Sequence, residues 1–433
     1  MYSLLSTKLM IELNTHTVSY SSPISDSMKT YLVQHLFDGE SLHNNMHLSV
    51  ENGLIGSITS AVNSTLKPSA VLKGLVCAGF IDTQVNGGGG VLFNHDQSQA
   101  ALRKMVQGHA QYGTTAMLPT LITDSSQTMQ KAAHAIAHAV AESMPGIVGI
   151  HYEGPNLSLE KKGIHSSEQI RPLSDTDLAT FTRKDTGKVL VTLAPESVPT
   201  DVIRDLVSHG VVVSLGHSGA SLDTTIAAID AGARGFTHLF NAMSGLTARN
   251  PGMISAALSD PRVSCGLIVD LQHVHAQNCA LAYQCIGPQR LMLVTDAMAH
   301  VGSDLQTLPW LNSTITKVGD KLSLNDGNLA GSCLDMSGSV RNMYKLLVQR
   351  RLAISPKKDQ QNTLPTGVQN DILGNVLNMA SCAPANFLNL TGFGHLKAGY
   401  RADFVLLDEN IYTKACWIKG QQIAGNKVSL KIV

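Results

Sequence analysis

The sequence predicts an α/β fold, a (β/α)8 TIM-like barrel with a small β-sandwich domain built from both terminal parts of the chain. Three observations support this prediction. Eight strand-like runs, apolar almost throughout, alternate with helix-like stretches, as expected for a parallel sheet covered on both faces. The runs recur about every 20 to 40 residues, which is typical of an eight-stranded α/β barrel. Shorter β-like runs such as MHLSV and LIGSI precede this region, and others follow it.

Four regions are expected along the chain. Residues 1–28 are rich in Ser and Thr and are predicted to form a poorly ordered extension. Residues 29–74 and 400–433 are predicted to form the small β domain, and residues 75–399 the barrel. A doubly wound open sheet remains an alternative to the barrel, because periodicity alone does not exclude it.

The elements of the barrel region are predicted from apolar runs and turn residues. Helix-like stretches separate the strands, for example SQTMQKAAHAIAHAVAES and SLDTTIAAIDAGA. Residues 300–335 are expected to be an inserted hairpin or loop, followed by helices near 337–350 and 367–380. The strands are predicted at 75–85, 114–122, 146–154, 189–196, 211–218, 235–240, 263–270 and 291–298.

Composition excludes several classes of function. The 433 residues include 32 basic and 32 acidic side chains, so a nucleic-acid partner, which favours a basic face, is not expected. The chain contains no run of about 20 consecutive apolar residues, so a membrane span is not expected. The first residues lack the pattern of a secretory signal. The seven cysteines are odd in number and lack CxxC spacing, which favours free thiols in a reducing compartment. We therefore expect a cytoplasmic protein.

Seventeen histidines stand out in a chain with only 15% charged residues, and some of them end predicted strands. Barrel strands 3, 5, 6 and 8 end at Glu153, His217, His238 and Asp296 respectively. Because the carboxyl ends of parallel barrel strands converge on one face, we expect these four side chains on one rim. One histidine at a strand end is more often structural than a ligand, so the prediction depends on the set of four.

This set has the composition of a catalytic metal site. Two imidazoles and one carboxylate with an open fourth position are typical of catalytic zinc, which lowers the pKa of bound water towards 7. Glu153, His217 and His238 are therefore predicted to hold one divalent metal, Zn2+ being favoured. Asp296 is suited to take a proton from the water and pass it to a leaving amine, since partial burial raises a carboxyl pKa.

Several segments, in this order and spacing, resemble one known family. They are FIDTQVNGGGG, HYEGPNLS followed by KKGIH, LGHSGA, THLFNAM and LVTDAM. Together they are similar to the N-acetylglucosamine-6-phosphate deacetylases of the amidohydrolase superfamily, and the resemblance covers most of the chain. It implies that Glu153, His217 and His238 bind the metal and that Asp296 is the general base. It also implies that His165, in KKGIH, contacts the acetyl carbonyl and stabilises the oxyanion.

The resemblance further implies the substrate contacts. Asn241 and Ala242 would bind the sugar phosphate, together with His273 and with Arg249, which in the family comes from the partner subunit of a homodimer. The remaining contacts would come from Ile164, Leu329, Ala330 and Gly331. The chain departs from the family at DLQHV, around His273, where DGLHV is more typical.

The end of barrel strand 1 separates this chain from two-metal amidohydrolases. Those enzymes carry HxH there, whereas this chain has Gln84-Val85-Asn86, and amides are poor zinc ligands. A single metal is therefore predicted. The expected reaction is removal of acetate from N-acetyl-D-glucosamine 6-phosphate. The alternatives are the same reaction on the N-acetylgalactosamine epimer, or an inactive sugar-phosphate-binding homologue.

Overall fold

The structure, a computed structural model, describes residues 28–354 and 364–425. The extension expected at residues 1–28 lies, except for its last residue, outside the described part of the chain. The described residues form a nearly closed barrel of eight parallel strands and a separate sheet built from both terminal parts. The predicted fold class is confirmed.

The barrel strands follow one another around the barrel in chain order. Each pairs in parallel with the next, and a bridge between Val85 and Ala297 joins the last strand end to the first. This sequential order distinguishes the barrel from a doubly wound open sheet, in which the strand order reverses. Barrel strands 1 to 8 are Phe80–Val85, Thr114–Ile122, Gly149–Glu153, Lys188–Leu193, Val212–Leu215, Gly235–Phe236, Ser264–Leu267 and Leu291–Leu293.

Helices cover the outside of the barrel. The helix Ser126–Ala141 begins where the side chain of Ser125 accepts a hydrogen bond from the Thr128 N–H, and it buries Ala132 and Ile136 against the strands. The helices expected near 337–350 and 367–380 are present as Met336–Ile354 and Thr366–Ala380. The others are Gln99–Ala110, Asp175–Phe181, Thr200–Ser208, Leu222–Asp230, Gly252–Ser259, Ala276–Ile286 and Cys382–Phe387.

A hydrogen-bonded group of polar side chains lies inside the barrel, beneath the carboxyl ends of the strands. The hydroxyl of Thr192 lies 2.7 Å from Nε2 of His151 and 2.6 Å from the hydroxyl of Thr237. Buried polar groups need such partners, because an unsatisfied one is costly. His151 precedes Glu153 by two residues and Thr237 directly precedes His238, so these bonds fix the strand ends that carry the candidate ligands.

The small domain is a seven-stranded sheet that takes strands from both terminal parts. Its hydrogen bonds run continuously through all seven strands, in agreement with the predicted small β domain built from both terminal parts. The sheet curls around its own core, since Leu54 of one edge strand forms a bridge with Arg401. In spatial order its strands are Gln421–Gly425, Thr413–Ile418, Phe404–Leu407, Ala70–Ala78, Lys29–Phe37, Leu42–Glu51 and Leu54–Ser60.

The prediction of a single strand at 75–85 is wrong, because the chain passes from the small sheet to the barrel at Gly79. Residues up to 78 pair within the small sheet, and Phe80 begins barrel strand 1. The N–H of Gly79 donates to the Asp403 carbonyl, and that of Phe80 to the Gly113 carbonyl. A Cβ at position 79 would lie 2.1 Å from the Thr115 hydroxyl, so only glycine fits this crossing point.

The insertion after barrel strand 8, expected to be a hairpin or loop, is a three-stranded antiparallel sheet. Its strands are Thr307–Trp310, Ser313–Val318 and Lys321–Ser323. It packs on its own apolar cluster, which includes Trp310 and Ala330. No described helix has the length and apolar character needed to cross a membrane.

Candidate active site

Glu153, His217 and His238 converge at the carboxyl face of the barrel, as predicted. Nε2 of His217 and Nε2 of His238 lie 3.2 and 3.0 Å from Oε1 of Glu153, and the two nitrogens lie 3.0 Å apart. All three side chains are buried. Among the described residues, they form the group of at least three His, Cys, Asp or Glu side chains whose ligand atoms are close enough to share one metal ion.

The geometry of this group fits a divalent metal. Ligand atoms held tetrahedrally at about 2.0–2.1 Å from zinc lie about 3.3 Å from each other, close to the separations found here. Nδ1 of His217 lies 2.8 Å from the carbonyl oxygen of Lys161. Because a carbonyl only accepts, the proton of the neutral ring is on Nδ1, and the Nε2 lone pair is directed towards Glu153 and His238.

The charge of Glu153 is stabilised within the group. Burial alone would raise its pKa, but the adjacent His217 ring and the hydrogen bond from His238 hold the pKa of Glu153 well below its usual value. The same pairing acts on His238, where burial lowers the pKa and the hydrogen bond and charge of Glu153 raise it overall. A buried carboxylate that stays ionised beside two imidazoles is the donor set that a divalent cation requires.

Three of the four rim residues have left-handed backbone conformations. The φ angles are +49° at His217, +32° at His238 and +53° at Asp296, values that non-glycine residues rarely adopt. Such conformations cost about 1–3 kcal/mol each and are concentrated at functional sites. At these strand ends they occur at the residues that the sequence predicts to be ligands or the general base.

Asp296 is held by the two amides that replace HxH at the end of barrel strand 1. Its Oδ1 accepts hydrogen bonds from Gln84 Nε2 at 3.1 Å and Asn86 Nδ2 at 2.7 Å. The same Gln84 nitrogen donates to Glu153 Oε1 at 3.0 Å, so one amide links the two carboxylates. Oδ2 of Asp296 makes no hydrogen bond with any described residue. Burial first, and the charge of Glu153 second, raise the pKa of Asp296 to about 6.

His165 lies beside the metal ligands and is fully buried. Its ring contacts that of His217 with centroids 4.3 Å apart, and its Nδ1 lies 2.8 Å from the Thr123 hydroxyl. Burial, followed by the neighbouring His217, lowers the pKa of His165 well below its usual value. The inserted sheet fixes the adjacent backbone, since Nε1 of Trp310 donates to the Ile164 carbonyl at 2.9 Å.

The predicted substrate residues divide into those that line the cavity beside this group and those that do not. His273 is oriented by its Nδ1, which lies 2.6 Å from Oδ2 of Asp270. Ala330 does not line the cavity, because its side chain packs in the apolar cluster of the inserted sheet. Arg249 lies in an exposed loop, also outside the cavity lining. The predicted residues that do line it are Ile164, His165, Asn241, Ala242, His273, Leu329 and Gly331.

Sequence reasoning missed three residues that act on the site. It treated Gln84 and Asn86 only as poor metal ligands, although both donate to Asp296. Their position, where other amidohydrolases have histidines, was the available signal. Thr123 carried no motif of its own, and its role depends on contacts that only the fold brings together.

Comparisons with known proteins find similarity to sugar-phosphate deacetylases. The N-acetylgalactosamine-6-phosphate deacetylase of Shewanella sp. (strain ANA-3) is 42% identical over 378 residues, covering 86% of this chain and 90% of the relative. The N-acetylglucosamine-6-phosphate deacetylase of Vibrio furnissii is 30% identical, and the match covers 86% of this chain and 89% of the relative. A mutant of the Mycobacterium smegmatis N-acetyl-D-glucosamine-6-phosphate deacetylase, solved in complex with N-acetyl-D-glucosamine-6-phosphate, is 29% identical with a TM-score of 0.82, covering 92% of this chain and 100% of that one.

The family comparison covers both the barrel and the C-terminal part of the small sheet. The model of the amidohydrolase family matches residues 75–428. The matched region contains all four rim residues and barrel strands 1 to 8. This chain therefore belongs to the amidohydrolase family.

Proposed function

We propose that this protein hydrolyses the acetamide of N-acetyl-D-glucosamine 6-phosphate, giving D-glucosamine 6-phosphate and acetate. The observation that carries the proposal is the pairing of the buried Glu153–His217–His238 group with Asp296, whose Oδ2 has no partner among the described residues. The similarity to proteins named N-acetylgalactosamine-6-phosphate deacetylase and N-acetylglucosamine-6-phosphate deacetylase supports the substrate class. An inactive binding protein would not need a buried carboxylate placed to accept a proton.

Glu153, His217 and His238 would hold one divalent metal, and we propose Zn2+. A mixed nitrogen and oxygen donor set of two histidines and one glutamate suits this ion. Gln84 and Asn86 hold the carboxylates through their amide N–H groups, and amide oxygens are poor zinc ligands beside imidazole, so we propose a single cation. When bound, the metal would polarise the acetyl carbonyl and make hydroxide available near neutral pH.

The protein's own residues would move the proton and hold the acetamide. Gln84 and Asn86 fix Oδ1 of Asp296, which leaves Oδ2 to accept a proton from the attacking water and to deliver it to the departing amine. His165 would lie at the acetyl group, where it helps to stabilise the developing negative charge. Ile164, Leu329 and Gly331 would contact the sugar.

The pH dependence follows from the pKa of Asp296, which burial and Glu153 raise to about 6. A bound cation stabilises the carboxylate and so lowers this pKa towards the ordinary value of about 4. Because the carboxylate is the active form, we expect kcat/KM to fall as the pH drops between about 6 and 4. A pH profile of the metal-loaded protein tests this. A loss of activity only above pH 7, with no acidic limb, would contradict the assignment.

The phosphate would be bound by Asn241, Ala242 and His273, with Arg249 supplied by the partner subunit of a homodimer. Arg249 is exposed and outside the cavity of its own chain, which is compatible with this arrangement. The free cysteines support a reducing, cytoplasmic location.

Replacing Arg249 by Ala should raise the KM for the sugar phosphate by about 10- to 100-fold, because a hydrogen bond to a charged group is worth about 1.5–3 kcal/mol. The KM for unphosphorylated N-acetylglucosamine should not change. Steady-state kinetics on both sugars check this, with Arg204→Ala, another exposed arginine, as the control. Equal losses on the two sugars would rule out a phosphate contact.

N-acetylgalactosamine 6-phosphate is the second candidate substrate. The specific observation in its favour is the 42% identity to the Shewanella protein, which is named for that activity. The two sugars differ in the orientation of one hydroxyl, and the bond hydrolysed is the same. Measuring kcat/KM for both sugar phosphates with one preparation decides between them. If neither releases acetate, the proposed function is wrong.

A further inference from the structure

Ile122 and Ile268 are apolar residues of the cavity wall that take no part in the proton transfer or in the phosphate contacts. Ile122 ends barrel strand 2, and Ile268 directly follows barrel strand 7. Both line the cavity, and both are at most 1% exposed. Each of them therefore forms a patch of apolar wall between the polar side chains of the rim.

The side chain of Ile122 lies beside that of Glu153. The two residues are register partners in the parallel pairing of barrel strands 2 and 3. Because partners on neighbouring strands point to the same face of a sheet, both side chains point into the cavity. Ile122 thus borders the metal-binding group at the level of its carboxylate ligand.

The wall formed by Ile122 is fixed from behind. The N–H of Ile122 donates to Oδ1 of Asn94 at 3.0 Å, and Nδ2 of Asn94 donates to the Ile122 carbonyl at 2.8 Å. The side chain of Ile122 packs in the apolar cluster of the inserted sheet, together with Met298 and Trp310. Since protein interiors are close-packed, this wall does not move back to admit a larger group.

The proposed function sets the direction in which the acyl group points. The phosphate would lie at Asn241, Ala242 and His273, which follow barrel strands 6 and 7. Strand 2 is four strands from strand 6 in a barrel of eight, so Ile122 faces these residues across the cavity. An amide is planar and almost always trans, so the acyl chain and the sugar carbon lie on opposite sides of the C–N bond. With the sugar extending towards strands 6 and 7, the acetyl methyl group points towards Ile122.

We propose that Ile122 determines which acyl group the protein removes, by closing the space beyond the methyl group of an acetamide. The acetyl methyl packs against its side chain, whereas one further methylene would collide with it. This inference rests on the proposed function and names the acyl specificity of that same site. Ile268 lies on the side of the cavity that receives the sugar, so it does not limit the acyl chain.

The test compares kcat/KM for the N-acetyl and N-propionyl forms of whichever of the two sugar phosphates turns over faster. In each reaction water adds to the amide carbon, the C–N bond breaks, and the carboxylate and the free amine are released. The ratio of the two kcat/KM values does not depend on how much of a variant is folded, because both substrates meet the same preparation. In the unchanged protein we expect a preference for acetyl of about 10- to 200-fold, the usual effect of one methylene in an apolar pocket.

Two variants of Ile122 and one control test the assignment. Ile122→Ala opens space at the acyl group, so it should reduce the preference for acetyl by at least about 10-fold. Ile122→Val removes a single methyl group and disturbs packing least, and it should shift the ratio less but in the same direction. Ile268→Ala is the matched control, because it removes the same atoms from an equally buried residue of the same cavity wall. Any loss of activity in this control should be equal for the two substrates, which leaves the ratio unchanged.

Three results would overturn the proposal. One is an unchanged protein that hydrolyses both amides equally well, and another is an Ile122 variant series with the same ratio as the unchanged protein. The third is an equal shift of the ratio in Ile268→Ala and Ile122→Ala. If the unchanged protein releases no carboxylate from either amide, the proposed function fails together with this inference. Acetate release with an unshifted ratio refutes the inference alone.

Discussion

Replacing Asp296 by Asn is expected to lower kcat by about 10²- to 10⁴-fold, the usual contribution of a general acid–base group. Asn has the same shape and its amide oxygen still accepts from Gln84 and Asn86, which donate to Oδ1 in the unchanged protein. The group that replaces Oδ2, however, takes no proton at any ordinary pH. Steady-state kinetics, together with metal analysis by atomic emission, measure this effect.

The Asp296→Asn protein should retain its metal, because Glu153, His217 and His238 are unchanged. Asp403→Asn serves as the control, since Asp403 is also a buried carboxyl but lies in the small sheet domain, where it pairs with Arg401. That variant should keep near-normal kcat. Near-normal activity in Asp296→Asn would remove Asp296 from the proposed role, whatever the metal content.

Replacing His238 by Ala should abolish tight metal binding and lower activity by more than about 100-fold. Residues that merely orient a metal ligand already contribute about 10- to 100-fold, so loss of a ligand costs more. The variant also leaves Glu153 without the hydrogen bond from His238 that helps to keep its pKa low. Metal content per chain after dialysis, measured beside kcat, checks both effects.

His138→Ala is the matched control for His238→Ala. His138 is an exposed histidine on the helix Ser126–Ala141 and is not among the residues that line the cavity. The His138→Ala protein should bind metal and turn over substrate like the unchanged protein. Full metal content in His238→Ala would contradict the ligand set.

The eight-stranded barrel and its rim could be predicted because both depend on local sequence patterns. Apolar runs such as Thr114–Ile122 are buried along their whole length. The polar residues that end such runs are brought together by the parallel strand order. Glu153, His217, His238 and Asp296 therefore lie where the spacing of the strands predicts.

Features that depend on contacts between distant segments could not be predicted in this way. The chain changes sheet at Gly79, where the Thr115 hydroxyl occupies the space that a side chain at position 79 would need. Ala330 was expected in the sugar pocket, but its side chain packs in the apolar cluster of the inserted sheet. The hydrogen bonds of Gln84 and Thr123 join residues 30 to 212 positions apart, which no local pattern encodes.

The most direct test of the account is a metal titration with product analysis. Metal-free protein is mixed with increasing Zn2+, and acetate and free amine released from N-acetyl-D-glucosamine 6-phosphate and its galacto epimer are measured together. The account predicts activity that rises with metal and saturates at one ion per chain, with acetate and amine formed in equal amounts. Saturation at two ions per chain, or tight binding of both sugar phosphates without acetate release, would contradict it.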